Sequence, residues 1–407
     1  MRFASSEGAV RDVRRILGSS EVFSGAVDWF DYSERRMIDA VRAMPKGRAT
    51  CSSTHDAIPG TPSEGVKITV HVEVDPEAAR ITVDLTDNPD CLPCGLNLSE
   101  ACARTSAMVG LFNSIDHTVP KNAGAFRRLD IRLRENCVVG IPRFPSSTSA
   151  ATTNVADRVA NSVQRAMAEI ADGQGLAECG AGLPSATSVI SGVHPKTGAF
   201  VNQIFLGITG GAGAPSTDAW LTICHVGNGG LCNLDSVELD EQRQPLHVYA
   251  RALVPDSEGA GEFTGAQSIA VEFGPVGCDM TVAYVSDGEH NPPKGTRGGG
   301  TGGAASQVRI RHDGSREALP NCAQAVLLDG ERILSISTGG GGYGAPELRN
   351  PERVANDVAE GHVSRARARE IYAVSLTEAG AVDAEETRRL RARPDHPQAA
   401  EPAFTDT

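Results

Sequence analysis

The chain has 407 residues, a net charge of −13 from 38 basic and 51 acidic side chains, and 40% hydrophobic residues, which at about 150 residues per domain fills two or three cores. No run of Lys and Arg interleaves with aromatics, which argues against a nucleic-acid partner. No window reaches the roughly 18 to 20 apolar residues that cross a bilayer, and MRFASSEGAVRDVRR lacks a signal peptide's apolar stretch, so a cytoplasmic protein with no membrane partner is expected.

Residues 26–44 place Phe30, Met37, Ile38, Val41 and Met44 near helical spacing, and Pro45 with Gly47 ends that helix. KITVHVEV (67–74) and RITVDL (80–85) alternate β-branched with polar residues across an Asp75-Pro76 turn, which predicts a hairpin with one buried face. Ser99 is placed to cap a helix whose Cys102, Thr105, Met108, Val109 and Phe112 share a face. Val155, Val159, Val163, Met167 and Ile170 do the same in the next helix. Both are expected to lie on the early sheet.

From Ala186 to Ser337 the chain reads as short strands: ATSVIS, FVNQIFLGI, AWLTICHV, LHVYARALV, SIAVEF, DMTVAYVS, QVRIRH and RILSIS, separated by Gly, Pro, Asn and Asp. PERVANDVAEG and SRARAREIYAVSL, the second capped by Ser364, read as two short closing helices, and ETRRLRARPDHPQAAEPAFTDT as a charged tail. The expected fold class is α+β. A mixed helix and sheet lobe spans 1–175, a β-rich lobe with the two closing helices spans 176–393, and a flexible tail spans 394–407, with a soft boundary between Asp172 and Glu178.

Ten cysteines lack the repeated spacing of a disulfide scaffold and read as reduced packing residues. Cys91 and Cys94 form a lone CxxC, the histidines show neither HxH nor HExxH, and no metal site is expected in this chain. Three glycine clusters, TGGAGAP (209–215), TRGGGTGG (296–303) and TGGGGYGAP (338–346), lack the GxxxxGK[ST] pattern and the strand-to-helix context of a phosphate cradle. They read as tight turns and close backbone packing, and it is only the chain's resemblance to a known family, whose glycine runs recur at matching places, that keeps their amides as candidates to face a substrate carbonyl or oxyanion. SSTSAATT (146–153) is rich in hydroxyls, yet no GxSxG elbow exists.

DLTDNPD sets Asp84, Asp87 and Asp90 after a strand, where Asx turns and solvated charge compete with a functional role, and Asp84 is the candidate of the three because the family that this chain resembles carries Asp at the matching strand end. Asn97, Asn122, Arg127, Asn154 and Arg158 cluster around the ends of the two first-lobe helices, with Gly124 in the turn after Asn122. Asn offers a donor and an acceptor to a ring amide, and Arg holds a carboxylate or phosphate, although caps, turns and surface ion pairs use the same residues. These seven are the candidate substrate-binding set, and no catalytic residue is singled out.

The stretch from Cys91 to Arg128, containing CGLNLSEACARTSAMVGLFNSIDHTVPKNAGAFRR, and the C-terminal STGGGGYGAPELRNPERVANDVAEGHVSRARAREIYAV resemble the hydantoinase B/oxoprolinase family. The resemblance runs from about Asp31 to about Leu376, and family members carry roughly another domain upstream. It implies a B-type subunit of an ATP-dependent amidohydrolase, acting on a small cyclic amide or imide such as a hydantoin, 5-oxoproline or a lactam. On that resemblance a sister A-type subunit phosphorylates the amide or imide oxygen with ATP, and an activated water then opens the ring. The resemblance further implies no cofactor bound by this chain alone, a divalent metal held by the upstream region, and room for a separate N-terminal half as a partner. The alternatives are a subunit of an acetone- or acetophenone-type carboxylase and a non-catalytic scaffold.

Overall fold

Val66, Ile68, Val70, Val72 and Val74 alternate with polar residues, and all five are buried along one strand of the computed structural model, which describes residues 21–204, 208–223, 225–226 and 236–392. Before that strand come helix α1 (Glu21–Arg42) and β1 (Gly47–His55). The strand itself is β2 (Val66–Asp75), and β3 (Arg80–Asp84) follows. β1, β2 and β3 are antiparallel, as the hairpin pattern predicts for the last two, although the polar β1 sequence GRATCSSTH gives little strand signal of its own.

Helix α2 (Glu100–Phe112) opens on Ser99, whose side chain accepts from the Cys102 amide. Of its expected face, Phe112 is buried and Cys102, Met108 and Val109 pack partly buried against the cores, but Thr105 is exposed, and Ala103, Ala107, Gly110 and Leu111 are buried beside them. Small residues let α2 approach α4 (Val155–Ile170) closely, and a Cβ on Gly110 would stand 2.6 Å from the Ala160 carbonyl oxygen. Between them lie α3 (Ala123–Phe126) and β4 (Leu129–Arg132), which pairs parallel to β3 and completes the sheet order β1-β2-β3-β4. Val155, Val159, Val163 and Met167 join the first core as predicted. Asp157, Arg158, Asn161 and Gln164 are buried on the same helix, so α4 is enclosed on its polar side as well.

The rest is mostly strand: β5 (Gly182–Leu183), β6 (Val189–Val193), β7 (Phe200–Ile204), the short helix α5 (Val237–Arg243), then β8 (Leu246–Leu253), β9 (Ile269–Pro275), β10 (Met280–Ser286), β11 (Ser306–Ile310), β12 (Arg316–Ala318), β13 (Cys322–Leu327) and β14 (Arg332–Ile336). One antiparallel sheet runs β13-β10-β6-β7 with β5 beside β10, and the other runs β12-β11-β14-β9-β8. They bury Ile190, Val282 and Leu327 of the first against Val271, Phe273 and Ile333 of the second, the arrangement of a sandwich.

Two strand expectations are corrected. Among its described residues AWLTICHV makes only an isolated bridge, Thr209 to Ile223, because its backbone groups pair with irregular glycine-rich segments: Gly211 N–H donates to the Trp220 carbonyl and Ala219 N–H to that of Thr264. ATSVIS begins as a 3-10 turn at Ser185–Thr187 and becomes strand at Val189. Residues 205–207, the end of FVNQIFLGI, lie outside the described residues, as do Cys224, Cys232 and the 394–407 tail.

The chain closes with α6 (Pro351–Ala359), α7 (Arg365–Glu370) capped by Ser364, and a third helix, α8 (Ala384–Arg391), where the charged tail was expected to begin. Asp383 accepts from the Glu386 amide as its N-cap. Arg391 donates to the Arg349 and Tyr372 carbonyls, which holds this charged helix against the lobe.

Candidate functional site

The C-terminal end of β1, the N-terminal half of α4 and the turn after β10 meet at one buried point. Arg158, 1% exposed, donates from Nε to Asp287 Oδ2 at 2.7 Å, from Nη1 to Ser53 Oγ at 3.0 Å and from Nη2 to the Asn291 carbonyl at 2.9 Å. Glu178 lies beside it, taking Arg165 Nη1 at 2.8 Å and the Lys294 amide at 3.1 Å. Burial alone would raise the Asp287 carboxyl, but the Arg158 guanidinium beside it outweighs burial and holds the group below the ordinary carboxylate value. Asp56 accepts from the amides of Glu289, His290 and Asn291 and from the side chains of Asn291 and Asn321, so its charge is fully hydrogen-bonded.

His55 is buried in the same place. A carbonyl only accepts, so the 2.7 Å contact from Nδ1 to the Asp56 carbonyl makes Nδ1 the protonated nitrogen. Nε2 is then free to accept, and Asn154 Nδ2 donates to it at 3.2 Å and to the Val285 carbonyl at 3.0 Å. Asn154 therefore bridges the start of α4, the end of β1 and strand β10.

Asn154 also borders an open cleft of about 460 Å³. One wall is the hydroxyl-rich loop, through Ser149, Ala150 and Thr153. The other is the outward face of the β13-β10-β6-β7 sheet. Directly opposed residues of antiparallel strands point to one face, and the register sets Val189 against Ile204 and Ala283, Ala283 against Gln324, and Val285 against Leu183. These side chains make the wall aliphatic and leave Gln324 at its edge.

Of the seven candidates, the structure brings Asn154 and Arg158 together. Asn97 is buried elsewhere: it accepts from the Leu92 amide and donates to the carbonyls of Leu92, Cys94 and Ser147, stapling the loop before α2 to the hydroxyl-rich loop. Asn122 caps α3 by accepting from Gly124 N–H and donates to Ser33 Oγ. A Cβ on Gly124 would lie 2.0 Å from the Phe30 carbonyl, so that glycine permits close approach to α1. Arg127 pairs with Asp31 and Glu34 at the surface, both at 2.8 Å. Asp84 holds an Asx turn through the Thr86 amide and hydroxyl, while Asp87 faces His71 and Asp90 faces Arg134, so the three carboxylates do not converge. His55, Asp56, Glu178 and Asp287 were not singled out. The signal for His55, Asp56 and Asp287 is polar residues at strand ends, STHD and SDGEHN, and Glu178 in LAECG carries none.

The glycine clusters interlock. Gly210, Gly213, Gly340, Gly341 and Gly342 donate to the carbonyls of Thr338, Gly341, Ala266, Glu178 and Gly300 at 2.8–3.2 Å. A Cβ on Gly340 would lie 1.7 Å from the Gly211 carbonyl oxygen, so only glycine allows these backbones to touch. The expectation that these amides face an oxyanion is therefore corrected: their hydrogens are taken by neighbouring carbonyls.

Residues 6–346 match the family described as hydantoinase B/oxoprolinase. The chain belongs to the hydantoinase B/oxoprolinase family. Among relatives, it is 26% identical to the beta subunit of the caprolactamase of Pseudomonas jessenii, over 92% of this chain and 64% of that protein. It is 27% identical to the B subunit of a putative D-/L-hydantoinase of Pseudomonas sp. (strain NS671), over 95% of this chain and 66% of the relative. The acetophenone carboxylase delta subunit of Aromatoleum aromaticum is 24% identical, over 87% and 56%. The crystal structure of the ATP-dependent caprolactamase from Pseudomonas jessenii shares the fold, with a TM-score of 0.78 at 23% identity, over 95% of this chain and 67% of that one. This member of the hydantoinase B family thus spans a little under two thirds of the first two relatives' length.

Proposed function

We propose that this chain is the B-type subunit of an ATP-dependent amidohydrolase that opens a small cyclic amide or imide after a sister A-type subunit has phosphorylated it. The carrying observation is the match, over more than nine-tenths of the chain, to relatives named as the beta subunit of a caprolactamase and the B subunit of a putative hydantoinase. An amide carbonyl is a poor electrophile, and transfer of the γ-phosphoryl group from ATP to its oxygen creates a leaving group. Water then adds to the activated carbon, the C–N bond breaks as the ring nitrogen takes a proton, and a second water hydrolyses the acyl phosphate that remains, giving the open-chain acid and inorganic phosphate.

Within that scheme this chain binds and orients the ring and screens it from bulk water. The cleft's aliphatic wall and hydroxyl-bearing rim suit that task. Among the described residues no group of three or more His, Cys, Asp or Glu side chains is placed to hold a cation. The glycine amides that would cradle phosphate are bonded to carbonyls. The described residues do not fit the divalent metal or the nucleotide, so no step is routed through either on them.

The test is ATP consumption by the chain reconstituted with its A-type subunit and a cyclic amide, with and without bicarbonate. Amide-dependent turnover without bicarbonate is expected. The likeness to the acetophenone carboxylase delta subunit favours the carboxylase as the second reading, and a strict bicarbonate requirement would select it.

A further inference from the structure

Resting on that reading, we propose that the cleft between the hydroxyl-rich loop and the outer face of the β13-β10-β6-β7 sheet is the ring-binding site, and that it selects a neutral aliphatic lactam over a ring bearing a carboxylate. The occupant follows from charge. No side chain lining the cleft among the described residues is charged or is a histidine.

A carboxylate moved into such a site loses its hydration and needs a cationic partner to offset that loss. The nearest guanidinium in the network behind Asn154, that of Arg158, is enclosed and bonded to Asp287, Ser53 and Asn291. A 5-oxoproline carboxylate would therefore enter unpaired. A lactam asks only for one acceptor and one donor. The hydroxyls of Ser149, Thr153 and Thr187 and the Gln324 amide supply both kinds of group around the rim.

The methylenes of the ring meet Leu183, Val189, Ile204, Ala283 and Val285. Register places these on one face of three adjacent strands plus β5. Each further methylene fully covered by that wall should tighten binding about fourfold. A volume of about 460 Å³ leaves room for a ring larger than five-membered. The cleft thus orders the family's ring substrates by polarity: lactams that are large and uncharged first, hydantoins next, 5-oxoproline last.

The experiment is isothermal titration of the full chain with δ-valerolactam, ε-caprolactam, hydantoin and 5-oxoproline, without ATP, paired with turnover by the complex with its A-type subunit. Saturable caprolactam binding about fourfold tighter than valerolactam is expected, with no measurable 5-oxoproline binding. Ala283→Trp fills the cleft from a half-buried strand position and should abolish lactam binding. Gln324→Arg, on an exposed strand position, should admit 5-oxoproline and leaves the fold undisturbed should the first variant fail to fold. Binding of 5-oxoproline equal to or tighter than caprolactam overturns the proposal, as does a folded Ala283→Trp variant that binds caprolactam unchanged. Cyclic-amide turnover undiminished in that variant overturns the cleft and leaves the hydrolase reading intact. A wild-type complex that turns over only with bicarbonate overturns the hydrolase reading, and the titration still decides the cleft.

Discussion

Replacing Arg158 with Met keeps most of the side chain's volume and removes its charge from a fully enclosed position. Asp287 then loses a 2.7 Å ion pair, Ser53 and the Asn291 carbonyl lose their donors, and Glu178 loses a cation 3.7 Å away. Breaking a buried pair from one side costs about 3–5 kcal/mol, chiefly through the charge left behind. Asp287→Asn alone should cost a similar amount, because the guanidinium is stranded in turn. The double variant strands neither, so it should be more stable than the two losses summed, by about 1–3 kcal/mol of coupling. Urea unfolding at pH 7, followed by circular dichroism, measures all four proteins. The Asp287 carboxyl is held below its ordinary value, so its contribution is fully present above the unfolded pKa of about 3.9 and fades as pH falls through the lower folded value. The wild-type advantage over Asp287→Asn should therefore hold from neutrality down and shrink only in strong acid. Single variants within about 1 kcal/mol of wild type, or additive losses, would refute the reading of this cluster as a coupled seam.

Gly340→Ala should cost about 3 kcal/mol or more, because its Cβ would meet the Gly211 carbonyl at 1.7 Å, whereas Gly314→Ala, with open space around it and a φ of +79°, should cost about 1–2 kcal/mol of backbone strain; thermal unfolding of both ranks them. Asn97→Ala leaves one amide and three carbonyls without their partner, and a loss of about 2–4 kcal/mol in urea unfolding is expected. Burial lowers the His225 imidazole, but its hydrogen bond to Asp157 at 3.1 Å outweighs burial and the net shift is upward. Its stabilising contribution is thus complete below the unfolded value of about 6.5 and lost as pH rises through the folded one. The stability gap between wild type and His225→Gln should narrow from pH 6 to pH 9, and a widening gap would contradict the pairing.

The sequence made the local elements legible wherever a period repeated. β2 has five β-branched residues in strict alternation, and α4 has four apolar residues on one helical face. Elements with weak intrinsic preference were not legible. β1 is polar, β13 reads CAQAVL with two alanines, and both are strands because neighbours pair with them along their length. The buried cluster illustrates the harder limit. Arg158 and Asn154 stand out as polar residues near a helix start, but their partners His55 and Asp287 lie 99 and 129 residues away along the chain. No period connects such positions. Only the docking of the end of β1 and the turn after β10 against the start of α4 does, and that follows from packing summed over many side chains.

Polar groups at this seam specify what apolar packing cannot. Burial of hydrocarbon is non-directional and tolerates small slips between surfaces, whereas a guanidinium bonded to Asp287, Ser53 and Asn291 accepts one relative placement. The cleft inherits its width from that placement, since one wall is carried by the residues leading into α4 and the other by β10 and its neighbours. Arg158→Lys separates the two contributions. It retains the charge and loses the fork that holds three partners at once. Arg158 does not line the cleft, yet the variant should bind caprolactam more weakly than wild type at a temperature where both are fully folded. Unchanged affinity would show that the walls alone set the cleft, and that the buried cluster serves stability without positioning the ring.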